Sequence, residues 1–213
     1  MSELINILTR TANRPNYFRN CFESCQNQSY KNIRHIISVD NKETEEYVAK
    51  YTNDYIFITD DMLPKNTREI PSESLFPWNL YLSVLSEQCE SGWILFIDDD
   101  DQLIDNTSIQ KMVDNITSID DVLFWRVKFG EILIPEDDYF YKPPALCHIS
   151  GIGFLFHTTK LPYIEFDAYK CIDYRIANNL YYAPNTRPVY INQILTGLQR
   201  PSGWGGLGKK DDI

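Results

Sequence analysis

A chain of 213 residues that is 43% hydrophobic and 23% charged is long enough for one sizeable core and short for two full domains. Its formal net charge of −10 argues against nucleic-acid binding, because a phosphate backbone requires a basic surface. It does not argue against a nucleotide ligand, since a bound metal ion reverses the sign of the field locally. Nucleotide-binding enzymes therefore stay open as a class.

Cysteine usage and hydropathy bear on the compartment. The five cysteines are odd in number and scattered, which is typical of free thiols in a reducing compartment. The first apolar run, residues 4–8, is too short for the core of a signal peptide, and no stretch approaches the roughly 18 apolar residues of a membrane span. These features predict a cytoplasmic chain without a membrane span or nucleic-acid partner, monomeric or weakly dimeric.

Short apolar runs alternate with longer amphipathic stretches, which is the pattern of strand–helix units on a largely parallel sheet. In the first half we expect strands at 5–9, 33–40, 55–59 and 93–97. The helices expected between them lie at 17–26, 44–51 and 78–90. In the second half we expect a helix capped by Asp105, a hairpin at 122–134, a strand at 151–157 and a helix at 168–181. Residues from Thr196 onward carry five of the nine glycines, which predicts a mobile tail.

Four consecutive aspartates, residues 98–101, directly follow the apolar run at 93–97. Ligands of open α/β sheets bind beyond the carboxyl ends of the strands, where this run would place its acids. If the segment stays extended, Asp98 and Asp100 share one face and Asp99 points to the other. Adjacent carboxylates near a core repel one another, so the cluster indicates a divalent cation, Mn²⁺ or Mg²⁺. The alternative is a solvated acidic turn.

Four segments in chain order resemble the motifs of GT-A glycosyltransferases, especially family-2-like enzymes. Residues 95–101 are similar to their hydrophobic-x-x-Asp-x-Asp-Asp segment, a DxD motif. Residues 5–15 resemble the opening strand and first loop, and residues 36–41 resemble the second strand, which ends in an acid. Trp78-Asn79 resembles a further element, although the glycine that usually follows the Asn is absent. The likeness covers about residues 4–180 and is nearest to the small glycosyltransferases of large algal (chlorella) viruses.

The resemblance implies a single α/β domain of the GT-A type: a three-layer α/β/α sandwich whose central sheet is mainly parallel, with a smaller antiparallel part. It implies a nucleotide-sugar-binding half at 1–101 and an acceptor-side half at 102–195. The Gly-rich tail at 196–213 would follow them. Trp204, Lys209 and Lys210 in that tail could form a lid over a diphosphate.

The resemblance also implies roles for single residues. Asp40 would accept a hydrogen bond from the uracil or ribose, and Asp98 would bind a ribose hydroxyl or a metal-bound water. Asp100 would ligate the Mn²⁺ or Mg²⁺ ion, and Asp101 would either ligate it too or support the donor sugar. The full set implied for the nucleotide-sugar is Thr9, Arg10, Arg14, Asp40, Asn79, Asp98 and Asp99.

Residues 166–173 resemble the acceptor-side segment of the family, whose final acid is the catalytic base. This implies Asp173 as the base. The family usually has Glu directly before that Asp, whereas this chain has Ile172, so Asp167 is kept as the alternative. An exposed acid near a helix start, favoured there by the helix dipole, is the structural reading of Asp173.

The sequence therefore predicts a glycosyltransferase that moves a hexosyl or deoxyhexosyl unit from a UDP-sugar to a hydroxyl of a glycan or glycoprotein. If Asp173 is the base, the transfer inverts the anomeric centre. Two rival classes stay open. A nucleotidyltransferase usually carries a Gly-rich loop after its first strand, and residues 9–14 contain no glycine. A non-catalytic module that binds cations or sugars is the other.

Overall fold

The computed structural model describes residues 3–65 and 69–200. Its strands are β1 (Ile5–Arg10), β2 (Ile33–Val39), β3 (Tyr55–Phe57), β4 (Trp93–Phe96), β5 (Asp101–Leu103), β6 (Asp121–Phe129), β7 (Ile132–Ile134), β8 (Phe154–His157) and β9 (Arg187–Leu198). Its helices are α1 (Pro15–Gln26), α2 (Lys42–Val48), α3 (Tyr81–Glu87), α4 (Ser108–Val113) and α5 (Ile172–Tyr182). The described strands form one sheet in the order β3-β2-β1-β4-β8-β6-β9-β5, with β7 beside β6.

The first four strands of that order are parallel, with β1 between β2 and β4. Every residue of β1 is buried, as expected for a central strand with both faces covered. Beyond β4 the sheet changes direction, because β8 pairs antiparallel with both β4 and β6. Parallel neighbours end at the same edge of a sheet, so β1, β2 and β4 deliver the residues that follow them to one place.

Alternate residues of β4 pack into two hydrophobic cores, one on each face of the sheet. Helices cover both faces, so the structure has three layers. Trp93 and Leu95 pack on one face with Cys21 of α1 and Met112 of α4. Ile94 and Phe96 pack on the other face, together with residues of α3 and α5. The α/β/α architecture expected from the sequence is thus confirmed. No helix in the described ranges is long and apolar enough to cross a bilayer.

Two strands were missed by the sequence analysis, β5 and the twelve-residue β9. The residues of β9 include Pro188 and Gly197, which lower strand propensity, but the strand pairs with β6 along its length. Thr196 accepts a hydrogen bond from Trp125 Nε1 (2.8 Å) and donates one to the carbonyl of Ile152 (2.7 Å). Residues 196–198, assigned to the tail from the sequence, are therefore part of the sheet. The predicted lid residues lie outside the described ranges.

Several element boundaries also differ from expectation, among them the starts of three elements. The helix expected at 78–90 begins as a 3-10 turn, Pro77–Leu80, before α3. The strand expected from residue 151 is likewise preceded by a 3-10 turn, Gly151–Gly153, and β8 begins directly after it. The helix expected at 168 begins at residue 172, because Cys171 adopts a left-handed conformation (φ 58°) that ends the preceding segment. Tertiary packing sets each boundary.

Candidate active site

The acid run forms a turn at the carboxyl end of β4. The backbone N–H of Asp101 donates to the carbonyl of Asp98 (3.0 Å), and the N–H of Asp98 donates to Asp101 Oδ2 (3.3 Å). The expectation of an extended segment is wrong, because this turn reverses the chain into β5. Asp98 and Asp101 consequently line the same cavity, and Asp99 and Asp100 lie on the other side, next to Arg14.

Arg10, the last residue of β1, is held on several sides. Its Nε and Nη2 donate to the two oxygens of Asp98 at 2.8 and 2.5 Å. Its Nη1 donates to Asn79 Oδ1 (3.2 Å), and Asn79 Nδ2 donates to the carbonyl of Tyr169 (2.9 Å). The structure therefore brings together three of the residues implied for the donor, and it fixes the Arg10 guanidinium between the acid turn and the start of α3.

Arg14 and Asp99 form an ion pair that is completely buried. Arg14 Nη1 also lies 2.9 Å from Asp100 Oδ2, and Arg200 Nε lies 3.1 Å from that same oxygen. The hydroxyl of Thr11 donates to Asp99 Oδ2 (2.8 Å). This network ties the β1–α1 loop to the acid turn from beneath, so Arg14 and Asp99 lie under the site and not on its surface.

Thr9 also lies inside the sheet. Its hydroxyl donates to the carbonyl of Ile97 (2.6 Å) and contacts His35 Nε2 (2.8 Å), and its side chain is fully buried. Burial lowers the pKa of His35 to about 4, so the ring is neutral. The hydroxyl of Thr9 thus joins β1 to β2 and to the residue that follows β4, and the structure does not place it with the residues that line the clefts.

Gln199 and Arg200 follow β9 and hold the acid turn from the far side. The backbone N–H of Gln199 donates to the carbonyl of Asp100 (2.9 Å), and its Nε2 donates to the carbonyl of Asp101 (2.9 Å). Sequence reasoning missed both residues because it assigned them to a mobile tail. Predicting a strand at 187–198 would have placed both residues next to the acid turn.

Among the described residues, negative charge exceeds positive charge at this edge of the sheet. Five carboxylates meet three guanidinium groups here: Asp98, Asp99, Asp100, Asp101 and Asp173 face Arg10, Arg14 and Arg200. Asp101 is buried and has no basic partner among the described residues. Burial, followed by the charges of Asp100 and Asp98, raises its pKa well above the ordinary value. Such an arrangement is stabilised by a cation.

No group of three or more acidic, His or Cys side chains in the described ranges converges as a ready metal cage. Asp100, expected as a ligand, is occupied by two arginines. Mg²⁺ in phosphate sites is usually held by one or two carboxylates with the remaining ligands from substrate oxygens and water. Asp98, which is paired with Arg10, and Asp101, which has no basic partner in the described ranges, fit that kind of site.

A cleft of about 220 Å³ opens on one side of Arg10. Asp40 follows β2 into this cleft, where its Oδ2 accepts a hydrogen bond from the hydroxyl of Tyr81 (3.2 Å). Trp78 and Tyr81 line it with aromatic surface, together with residues 11–13. Asp40 was predicted from the sequence as a nucleotide-binding residue, whereas Trp78 was named only as the neighbour of Asn79. Tyr81 was missed, since an aromatic residue on a helix is usually core.

Asp173 lies in the first turn of α5, directly opposite the acid turn. It lines a cavity of about 50 Å³ with Arg10, Asp98 and Asp101. A Cβ atom added to Gly151 would lie 3.0 Å from Asp173 Oδ1, so the carboxylate packs closely on this glycine. Desolvation raises the pKa of Asp173, although Arg10 opposes the effect. Asp167, the alternative base, is instead paired with Arg175 (2.6 Å).

No family model matches this sequence, and no curated protein matches it. Residues 1–349 of S. aureus TarS match with a TM-score of 0.66 and 18% identity, over 94% of this chain and 61% of that one. The complex of that protein with UDP-GlcNAc matches with a TM-score of 0.63 and 18% identity, over 91% and 58%. The mannosyltransferase PcManGT from Pyrobaculum calidifontis, in complex with GDP-Man and Mn²⁺, matches with 0.59 and 11%, over 92% and 57%.

These neighbours are glycosyltransferases with a GT-A-like fold, and this chain shares that fold. The fold implied by the sequence resemblance is therefore confirmed. The chain spans less than two thirds of the length of each of these structures.

Proposed function

We propose that this chain is a glycosyltransferase domain that transfers a sugar from a nucleoside diphosphate sugar to a hydroxyl group with inversion. One observation carries the proposal: Asp173 faces Asp98 and Asp101 across a shared cavity, between the cleft that contains Asp40 and a second pocket on its other side. A displacement reaction needs the acceptor hydroxyl next to the anomeric carbon of the donor and within hydrogen-bond reach of the base, and Asp173 lines both the cavity of the acid turn and the second pocket.

The donor nucleoside is proposed to occupy the cleft beside Arg10. Asp40 is an acceptor for an N–H of the base, and the rings of Trp78 and Tyr81 provide apolar surface for it. A uracil N–H suits a carboxylate acceptor, and one structural neighbour holds UDP-GlcNAc, which supports a UDP-sugar as the donor. Another neighbour holds GDP-Man, so guanosine donors belong in the test.

Asp173 is proposed as the base. The acceptor oxygen forms a bond to the anomeric carbon while the bond from that carbon to the diphosphate oxygen breaks, and the hydroxyl proton passes to the Asp173 carboxylate. Desolvation raises the pKa of this carboxyl, which makes it a better proton acceptor than an exposed Asp. The two electrons of the broken bond leave with the diphosphate, opposite the incoming oxygen.

Mn²⁺ or Mg²⁺ is proposed to be held by Asp98 and Asp101, with Asp100 able to join if its arginines move. When bound, the cation would neutralise the charge that develops on the leaving diphosphate. Arg10 lies beside the same carboxylates and orients Asp98 through two hydrogen bonds. A neighbour's complex with Mn²⁺ supports the cation, as does the excess of carboxylates at this turn.

The test measures nucleoside diphosphate release from a panel that includes UDP-GlcNAc and GDP-Man, with Mn²⁺ and with EDTA. We expect release with Mn²⁺ and at least tenfold less with EDTA. Asp173→Asn should lower the catalytic constant by about 10²-fold and leave the KM of the donor within a few-fold, because a base does not hold the donor. Asp54→Asn, a change at an exposed aspartate, is the matched control.

Three results would contradict this proposal. Equal diphosphate release with Mn²⁺ and with EDTA would show that the reaction does not need the cation. Normal turnover in Asp173→Asn would move the base elsewhere, and the anomeric configuration of the product, read by NMR, would then show whether the enzyme retains. Release of pyrophosphate from a nucleoside triphosphate would instead indicate a nucleotidyltransferase.

A further inference from the structure

A second pocket, of about 160 Å³, opens on the side of Asp173 that faces away from the acid turn. Its walls come from the ends of β6 and β7, the loop before β8 and the first turn of α5. Five of the lining side chains are apolar or aromatic: Phe129, Ile134, Leu146, Ile149 and Tyr174. Because Asp173 lines both this pocket and the cavity of the acid turn, a group bound here lies next to the proposed base.

The polar groups of the pocket are few. Asp173 is the one charged side chain among the described residues that line it, and Ser150 adds a hydroxyl. None of the lining residues in ranges 3–65 and 69–200 is a lysine or arginine that could hold a phosphate or carboxylate. Ile134 is buried and Ile149 is half-buried, whereas Leu146 lies at the exposed rim of the pocket. A hydroxyl held against Ile134 and Ile149 would lose its water without gaining a partner, which costs binding free energy. The lining thus selects a neutral molecule with one polar edge and one aliphatic edge.

The size of the pocket further limits which ligands can bind in it. Its volume of about 160 Å³ lies below the roughly 300–1,000 Å³ of pockets for drug-sized ligands, which favours a single small ring over a long lipid chain. A 6-deoxy sugar combines hydroxyls with a methyl group on the same ring. Such a ring can present a hydroxyl to Asp173 and its methyl group to the apolar wall.

We propose that this pocket is the acceptor subsite and that it binds a neutral 6-deoxyhexose unit. The inference rests on the proposed glycosyl transfer and specifies its acceptor. Burying the methyl group and avoiding the burial of an unpaired hydroxyl both favour binding of the 6-deoxy sugar over its 6-hydroxy counterpart. A methyl group in place of a hydroxymethyl group should therefore improve kcat/KM by about tenfold or more.

Two cysteines provide a direct probe of this pocket. Cys147 and Cys171 line it and are exposed, whereas Cys21 and Cys25 are buried and Cys89 is half-buried. N-ethylmaleimide should therefore label Cys147 and Cys171 first, as read by peptide mass spectrometry. The added group should lower transfer to the acceptor at least tenfold and leave UDP binding within about twofold, because the nucleoside cleft lies on the other side of Arg10.

The controls use the other thiols. The double variant Cys147→Ser/Cys171→Ser should lose its sensitivity to N-ethylmaleimide, measured against its own untreated rate. Cys89→Ser should stay as sensitive as the parent. A parent enzyme that keeps its transfer rate after both thiols are labelled would overturn the acceptor subsite.

The ligand class is tested with matched methyl glycosides: glucoside and 6-deoxyglucoside, galactoside and 6-deoxygalactoside, mannoside and 6-deoxymannoside. The donor is the nucleotide sugar that gives the fastest diphosphate release with Mn²⁺. We expect the 6-deoxy member of at least one pair to be preferred about tenfold or more in kcat/KM. Leu146→Ser should reduce that preference to about twofold, since it places a hydroxyl on the apolar wall.

The outcomes separate this inference from the proposed function. No binding of any nucleotide sugar would overturn the proposed function, and the acceptor inference with it. Donor binding or hydrolysis without a 6-deoxy preference in any pair would overturn the acceptor inference alone, as would preferred transfer to a phosphorylated or 6-hydroxy acceptor.

Discussion

Asp173 packs on Gly151 so closely that a single methyl group at that position would reach the carboxylate. Gly151→Ala should therefore displace Asp173 and lower the catalytic constant by about tenfold or more, while UDP affinity changes little. The measurement is steady-state kinetics together with UDP titration of the same protein.

Gly153→Ala is the matched control, because its added methyl group would meet the side chain of Val127 at 3.1 Å and not Asp173. It should cost stability and leave the turnover of the folded protein near that of the parent. Equal turnover losses in the two variants would contradict a specific effect on Asp173.

Neighbouring acids of the turn should respond in opposite ways to the same substitution. Asp101 is buried among like charges without a basic partner in the described ranges, so Asp101→Asn should raise the free energy of unfolding by about 1 kcal/mol without metal. Asp100 is paired with Arg14 and Arg200, so Asp100→Asn should lower it by about 3 kcal/mol. Urea unfolding in EDTA measures both.

The Asp101→Asn variant also tests whether a cation binds at the acid turn. Asp101→Asn should lose the extra thermal stabilisation that Mn²⁺ adds to UDP, because one of the two carboxylates proposed to hold the cation is gone. Destabilisation by Asp101→Asn in EDTA would contradict the uncompensated charge described for this residue.

At the scale of elements, one buried ion pair connects the β1–α1 loop to the acid turn after β4. Arg14→Met should lower the free energy of unfolding by about 3–5 kcal/mol, because it leaves the Asp99 carboxylate buried without its main partner. The double variant Arg14→Met/Asp99→Asn should recover much of that loss. Urea unfolding of the two variants forms the test, and a single-variant loss below about 1 kcal/mol would contradict it.

Most elements of the parallel half were predictable, because a central strand buried on both faces leaves an uninterrupted apolar run. Residues 93–97 are such a run, and β4 is found there. The strand β9 could not be predicted, since its partners lie 66–69 residues earlier in β6 and its own sequence contains Pro188 and Gly197. Missing β9 meant missing Gln199 and Arg200 at the acid turn.

At the scale of the whole molecule, the buried ring of His35 links stability to pH. Its pKa is about 4 in the folded protein and about 6.5 in an unfolded chain, so the unfolded state binds more protons between these values. This contribution is fully present above pH 6.5 and is lost as the pH falls to 4. The loss amounts to about 3 kcal/mol.

The His35→Gln variant removes this titration. Between pH 6.5 and 4 its free energy of unfolding should fall less steeply than that of the parent, by up to about 1.4 kcal/mol per pH unit. Urea unfolding at several pH values measures the two slopes. Equal slopes would show that His35 does not titrate differently in the folded and unfolded states.

The sequence alone determined the α/β class, the parallel strands and the position of the acid run, because these depend on local hydrophobic patterns and on residues that follow a strand. The tertiary structure decided which acids act together. The turn at 98–101 joins Asp98 to Asp101 across from Asp173, and it commits Asp99 and Asp100 to buried arginines. Charge pairing depends on side chains distant in the chain, such as Arg14 and Arg200, which no local pattern brings into contact.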